Sequence, residues 1–392
     1  MRGSLTSPIA GVAQLISLAC SDADMSPAGG EPASPAMSGA ATAAAGAAST
    51  SEPAPASRSP GETPSGVPEG NPTDVPLASG AASPGESPAA EATPGEAPAG
   101  GTEQLPLAPL LSVRQEHAVA VLGGEVFVIG GFTPAATNSV EAYDPASNTW
   151  RAVAPFPSVL HHANAAVVGE RLYVAGFYVG ASFTDASGSV YEYDPGLDSW
   201  AERAALPAGT ERASACVATL DGRIYLFGGA RDGSVADASA YDPAADAWQT
   251  LPALPERREH CAAGAIGGRI VIAGGRSDGI GGFQPNTWIF DPETAAYSSG
   301  APLLTARGGV AGAVVGERLF IFGGEGNAAD PSGVFPQVEA YDAEADSWQS
   351  FGDMLFPRHG LGAGAAAARI YLPGGASQQG FGAENTHTVF VP

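Results

Sequence analysis

The stretch Val126–Trp150, VFVIGGFTPAATNSVEAYDPASNTW, returns along the chain and limits what it can fold into. A glycine pair or its remnant stands at Gly130-Gly131, Gly176-Phe177, Gly228-Gly229, Gly274-Gly275, Gly323-Gly324 and Gly374-Gly375, in steps of 46, 52, 46, 49 and 51 residues. An aromatic-Asp turn follows at Tyr143, Tyr193, Tyr241, Phe290 and Tyr341. Seven residues beyond each stands Trp150, Trp200, Trp248, Tyr297 or Trp348. A period of this length marks a structural repeat whose copies stack on one another.

Each copy is built of strands. Ala118–Val121, Val126–Ile129 and Val140–Tyr143 are short apolar or alternating runs bounded by Gly, Pro, Asn and Asp. Gly123-Gly124, Gly169-Glu170, Asp221-Gly222, Gly267-Gly268 and Gly316-Glu317 sit where tight hairpins need positive φ. The unit is a four-stranded antiparallel meander with two apolar faces, which it cannot bury alone. Six units around an axis bury each face on the next and leave only short edges.

The double glycine with spaced Tyr and Trp resembles the kelch repeat over Glu103–Pro392. The resemblance implies an all-β, six-bladed kelch-type β-propeller. Repeats two and six depart from the pattern, at Phe177 and at Phe390-Val391-Pro392. The chain reaches Pro392 with repeat six short of its fourth strand. Pro109–Arg114 (PLLSVR) mirrors Pro302–Arg307 (PLLTAR), which follows the fourth strand of repeat four. About Thr102–Leu107 is therefore expected to be the outer strand of blade six, closing the ring.

Ahead of the propeller, 1–20 reads as an export leader. Arg2 precedes an uncharged stretch, too short and too broken by Pro8 to span a membrane, that ends in Ala19-Cys20. This resembles a bacterial lipoprotein cleavage site, with Cys20 the lipidated residue and the only link to a membrane. Residues 21–102 are an Ala/Pro/Ser/Gly-rich segment without aromatics, expected to be a disordered linker or tether. Cys216 and Cys261 stand 12 and 13 residues before their glycines, on opposite faces of their strands, and are expected to be free thiols.

The net charge is −24, with 41 acids, 17 arginines and no lysine, which repels phosphate backbones and argues against nucleic acid. Sixteen residues before each first glycine stands Arg114, Leu160, Arg212, Arg258, Arg307 or Arg358. Five arginines at one repeat position suit either the scaffold or a ligand. Residues peculiar to one blade are better site candidates. Arg257, Arg258, Glu259, His260, Arg276 and Asp278 cluster in blade four, with Arg212 and Arg231 in blade three. Arginine forks bind carboxylates, so an acidic group on a protein or glycan is the expected ligand. No metal-ligand spacing occurs. His161-His162 would need ligands from other blades, so neither a metal nor another cofactor is expected.

The kelch resemblance implies partner binding on the loop face. No nucleophile elbow or phosphate loop is present, and the cysteines and histidines do not supply the set of a copper radical oxidase. The reading is a non-enzymatic binding module, exported to the periplasm or cell surface. The alternative is an enzyme like the periplasmic sialic-acid mutarotases, also six-bladed, with Arg258, Glu259, His260 and Arg276 binding the acid and moving a proton.

Overall fold

The structure, a computed structural model, describes residues 102–392. The expected leader with Cys20, and the linker up to its last residue, lie outside the described residues. The remainder is all β. Blade one comprises Ala118–Leu122, Glu125–Ile129, Val140–Asp144 and Thr149–Val153 in consecutive antiparallel order. Blades two to five repeat the meander over 165–203, 216–251, 262–300 and 311–353. Blade six has Gly364–Ala366, Arg369–Pro373 and His387–Val391 from the end of the chain. Its outer strand is Glu103–Pro106, with Gln104 opposite Phe390. The ring therefore closes as the sequence predicts. The innermost strands, one per blade, neighbour each other around a complete circle.

The apolar core is divided among the six interfaces between blades. Phe127, Ile129 and Val140 of blade one meet Leu172, Val174 and Phe177 of blade two. Val126 and Tyr143 meet Tyr371 and Val389 across the closure. The other four junctions have their own clusters. Each fully buried Phe, Leu or Val contributes about 1.5–3 kcal/mol, so each blade is held mainly by its neighbours.

The spacing of seven is a hairpin register. Tyr143 lies opposite Trp150, Tyr193 opposite Trp200, Tyr241 opposite Trp248 and Tyr341 opposite Trp348. The pair clamps the preceding blade. Trp200 Nε1 donates to the Ala154 carbonyl at 3.0 Å, and Asp198 accepts from the Ala154 N–H and the Tyr193 hydroxyl. Trp248 with Asp246 and Trp348 with Asp346 hold Ala204 and Ala301 in the same way. Trp150 with Asn148 holds Ala108, which follows the closing strand.

The five repeated arginines are 0–1 % exposed. They donate to carbonyls of their own blade, as Arg258 Nη1 does to Gly274 at 2.9 Å and Arg307 Nε to Gly323 at 2.8 Å. Arg114 and Arg307 also engage the buried Glu141 and Glu339 at 2.7 and 2.6 Å. Arg212 and Arg258 thus serve the blade and do not reach the mouth.

The second glycine of each pair exists because the backbone carbonyl of the residue after this arginine crowds it. At Gly229, with φ 107°, a Cβ would meet the Ala213 carbonyl oxygen at 2.7 Å, ahead of the Arg212 methylenes at 3.2 Å. At Gly275 it would meet the Glu259 carbonyl oxygen at 2.6 Å, ahead of Arg258 at 3.0 Å. Blade two lacks both members, having Leu160 and Phe177, and there the backbone continues as strand Arg171–Val179. Phe177 fills the space and packs on Phe156.

The cysteine expectation is overturned: Cys216 and Cys261 form a disulfide, with Cα atoms 5.1 Å apart. They do point to opposite faces of their own strands. In a ring, however, opposite faces of successive blades are the faces that meet. Both lie against the core between blades three and four.

Candidate functional site at the mouth of the ring

Two residues beyond each repeated arginine position, the backbone turns left-handed. Glu116, His162, Ser214, His260, Gly309 and Gly360 have φ between 51° and 71°. Each N–H donates to the carbonyl of its counterpart in the preceding blade, from His162 to Glu116 at 2.9 Å round to Glu116 to Gly360 at 2.6 Å. Six residues, one per blade, close a hydrogen-bonded ring on the axis. This ring is the floor of the mouth. It uses only backbone atoms, so the side chains there are left to other purposes.

Above the floor lies a cavity of about 120 Å3 lined by Gln115, Glu116, His162, Phe183, His260, Arg276, Ile280, Glu325 and Phe381, with glycines between. Gly360 and Gly309 leave room for the side chains beside them: a Cβ at Gly360 would meet Glu116, and one at Gly309 would meet Glu325. Ile280 and Phe381 are 37 % and 38 % exposed and rim the opening.

The polar groups form one connected cluster. Arg276 lies 2.6 Å from Glu325 and 3.2 Å from Glu259. His260 Nδ1 lies 3.0 Å from Glu259 Oε2. His162 Nε2 lies 3.2 Å from Glu116 Oε2. His359 Nδ1 lies 3.6 Å from Glu325 and 3.8 Å from Glu116.

Burial pushes the Glu116 carboxyl up, against the attraction of His260 and His359. Burial acts on Glu259 in the same direction, but His260 and Arg276 overcome it and hold Glu259 down at about 2. Glu325 is likewise held low by His359 and Arg276 against its burial. Burial, followed by the nearby His260, drives His162 well below the usual imidazole range. Two firmly ionised carboxylates thus embrace one arginine beside a carboxyl that resists ionisation.

Of the eight residues expected from sequence, Glu259, His260 and Arg276 come together here. Arg231 pairs with Asp237 at 2.7 Å, half-buried at the edge. Arg257 and Asp278 pair with each other at 3.2 Å in solvent. Arg212 and Arg258 lie inside their blades. The expected field of five arginines at blades three and four is replaced by a mixed cluster spanning blades four, five, six, one and two. Glu116, Glu325, His162 and His359 were missed as a group. The repeat comparison that singled out His260 would have found Glu116 and His162 if applied at the floor position, where the six blades read Glu, His, Ser, His, Gly, Gly; Glu325 and His359 stand at other repeat positions.

Residues 108–254 and 161–375 match the KLHDC2/KLHL20/DRC7 Kelch-repeats domain. The chain belongs to the kelch-repeat family. This kelch chain is 37% identical to Kelch-like protein terF of Aspergillus terreus over 279 residues, 67% of its own length and 61% of the relative's. To Kelch-like protein 36 of Bos taurus it is 27% identical over 291 residues, 72% of its length and 39% of the relative's. It therefore spans less than two thirds of these relatives. The structure of YjhT superposes with a TM-score of 0.59 at 16% identity, covering 71% of the kelch chain and 96% of YjhT, a likeness of fold.

Proposed function

We propose that this kelch propeller is a non-enzymatic binding module of the bacterial cell envelope that receives a protein or glycan through its loop face. The observation that carries the reading is the recess on the axis: a polar floor of Glu116, His162, His260, Arg276 and Glu325 beneath an apolar rim of Ile280 and Phe381. A buried polar group surrounded by exposed apolar area is how an interface anchors one side chain of a partner. Kelch domains are in general protein-interaction modules. A ligand with an acidic group would have to displace Glu259 or Glu325 from Arg276, so the charge of the recess favours a neutral or cationic group.

Export is supported by the Cys216–Cys261 disulfide, since such bonds persist in oxidising compartments. The lipid anchor at Cys20 and the tether over 21–102 complete the proposal. The test is capture from envelope extracts and on a glycan array by the full chain. Ile280→Ala combined with Phe381→Ala is expected to abolish specific capture; undiminished capture would remove the loop face from the reading. Loss of palmitate labelling in Cys20→Ala checks the anchor.

A second reading, an anomer-exchanging enzyme acting on a sugar, is favoured by the grouping of Glu116, His162, His260 and Arg276 in one cavity, with Glu259 against the last two. Arg258, assigned a role in it from sequence, faces away. NMR exchange spectroscopy decides: no acceleration of anomer exchange by the protein dismisses it.

A further inference from the structure

The nitrogens of the floor histidines are assigned by what lies behind them. His161 Nε2 sits 2.9 Å from the Ser182 carbonyl and so carries the proton. Its Nδ1 is then bare and accepts from His162 Nδ1. That leaves His162 Nε2 bare, 3.2 Å from Glu116 Oε2. His359 Nε2 donates to the Gln378 carbonyl at 2.8 Å, so His359 Nδ1 is also bare. It is fully buried, has no hydrogen-bond partner among the described residues, and faces Glu116 and Glu325. The Glu259 carboxylate, 3.0 Å from His260 Nδ1 and nearer than Glu116 is to Nε2, places the proton of a neutral ring on Nδ1 and leaves Nε2 turned bare toward Glu116. In their neutral forms three imidazoles therefore turn lone pairs on a carboxylate, acceptor against acceptor. A bare buried acceptor left facing another is costly, and what neutralises several at once is a cation.

We propose that a first-row divalent transition-metal ion binds on the propeller axis between Glu116 Oε2, His162 Nε2 and His260 Nε2, with His359 and Glu325 beside it. The ligand atoms of Glu116, His162 and His260 lie within 4.8 Å of one another, as do those of Glu116, Glu325 and His359. Bonds of about 2.0–2.2 Å to imidazole and carboxylate need only a small contraction. Two histidines and one carboxylate suit ions such as Zn2+ or Fe2+ and leave positions open. Glu259 behind His260 and His161 behind His162 are the outer partners that orient ligating imidazoles. The ion would face the recess and offer an open coordination site to an oxygen of the ligand. The inference concerns this chain's own residues and does not depend on which partner is bound.

The experiment uses the untagged full chain, stripped with a chelator, reloaded with Zn2+ or Co2+ and passed through a desalting column. One equivalent of ion is expected by mass spectrometry, with a visible Co2+ spectrum showing nitrogen ligation. Glu116→Gln and His162→Gln are expected to lose the equivalent while keeping the wild-type circular dichroism. Glu259→Gln, acting through His260, is expected to weaken Zn2+ about 10–100-fold. If a proton on Glu116 alone satisfies His162, the wild type takes up no stoichiometric ion, and that result overturns the proposal. Retention of the full equivalent by both ligand variants overturns it as well.

Discussion

Two blades of this propeller hold the same arginine by different chemistry, and that makes an internal experiment. Arg307 is fully buried and gives Nη1 to Glu339 at 2.6 Å, with further bonds to the carbonyls of Thr305 and Gly323. Arg212, equally buried, gives Nη2 to the hydroxyl of Ser239 and to the carbonyl of Leu226, and Nη1 to that of Thr210. Glu339 and Ser239 occupy the same position of the third strand, and both are at most 5 % exposed. Burial lowers the guanidinium pKa at both sites, and at Arg307 the Glu339 charge opposes it. Removing one charge of a buried pair costs about 3–5 kcal/mol, because the other is left uncompensated. Glu339→Gln keeps an accepting oxygen, and Arg307 keeps its carbonyls, so the lower end, about 3 kcal/mol, is expected. Ser239→Ala removes a single hydroxyl acceptor and should cost about 1–2 kcal/mol. Urea unfolding of both variants under one condition reads the difference. Equal losses would show that the carbonyl cage alone holds the charge and would refute the assignment of Glu339 as its counter-ion.

Reduction of Cys216–Cys261, or Cys216→Ser, should destabilise the ring by about 4 kcal/mol from the loop entropy of a 45-residue separation; an unchanged melting temperature under reductant would contradict it. Gln104 joins the closing strand to blade five, donating to the Asp353 carbonyl and accepting from the Leu355 N–H. Gln104→Ala should lose about 1–2 kcal/mol and raise proteolysis near the N-terminal strand first. Burial depresses His117 and His387 to about 3 and His161 to about 4, from 6.5. The unfolded chain therefore binds more protons below pH 6.5. The stability these neutral imidazoles contribute is present above 6.5 and is lost as pH falls from there toward about 4 for His161 and about 3 for His117 and His387. Between pH 7 and 5.5 the three together should remove about 4 kcal/mol; a flat pH dependence over that interval would argue against their burial as neutral groups.

The fold was legible because its signals are local and repeated. The Tyr–Trp spacing is a hairpin register, the glycine pair is the room that neighbouring backbone carbonyls need, and PLLSVR reports its own place by matching PLLTAR. What failed were inferences about faces and neighbours. Cys216 and Cys261 were placed on the correct sides of their strands, yet the meeting of those sides depends on adjacent blades facing each other across the ring. The arginines were counted as a mouth charge because sequence does not say how far a loop side chain travels. Arg258 folds back to Gly274, while Arg276 reaches Glu325 one blade away. Glu116 and His359 lie far apart in sequence and meet only because the ring brings blade six back to blade one.

The floor ring explains why chemistry collects where it does. Its six backbones need a left-handed turn and nothing else, and glycine supplies that turn most cheaply, as Gly309 and Gly360 do. A side chain in this conformation costs about 1 kcal/mol, and four of the six positions carry one. The fold obtains nothing in return from Glu116, His162 or His260, whose backbone bonds a glycine would make equally well. Glu116→Gly and His260→Gly should therefore leave stability unchanged or raise it, while removing two of the three side chains proposed to hold the metal ion. A glycine variant that fails to fold would mean that these side chains hold the ring together, and the case for reading them as a site would be withdrawn.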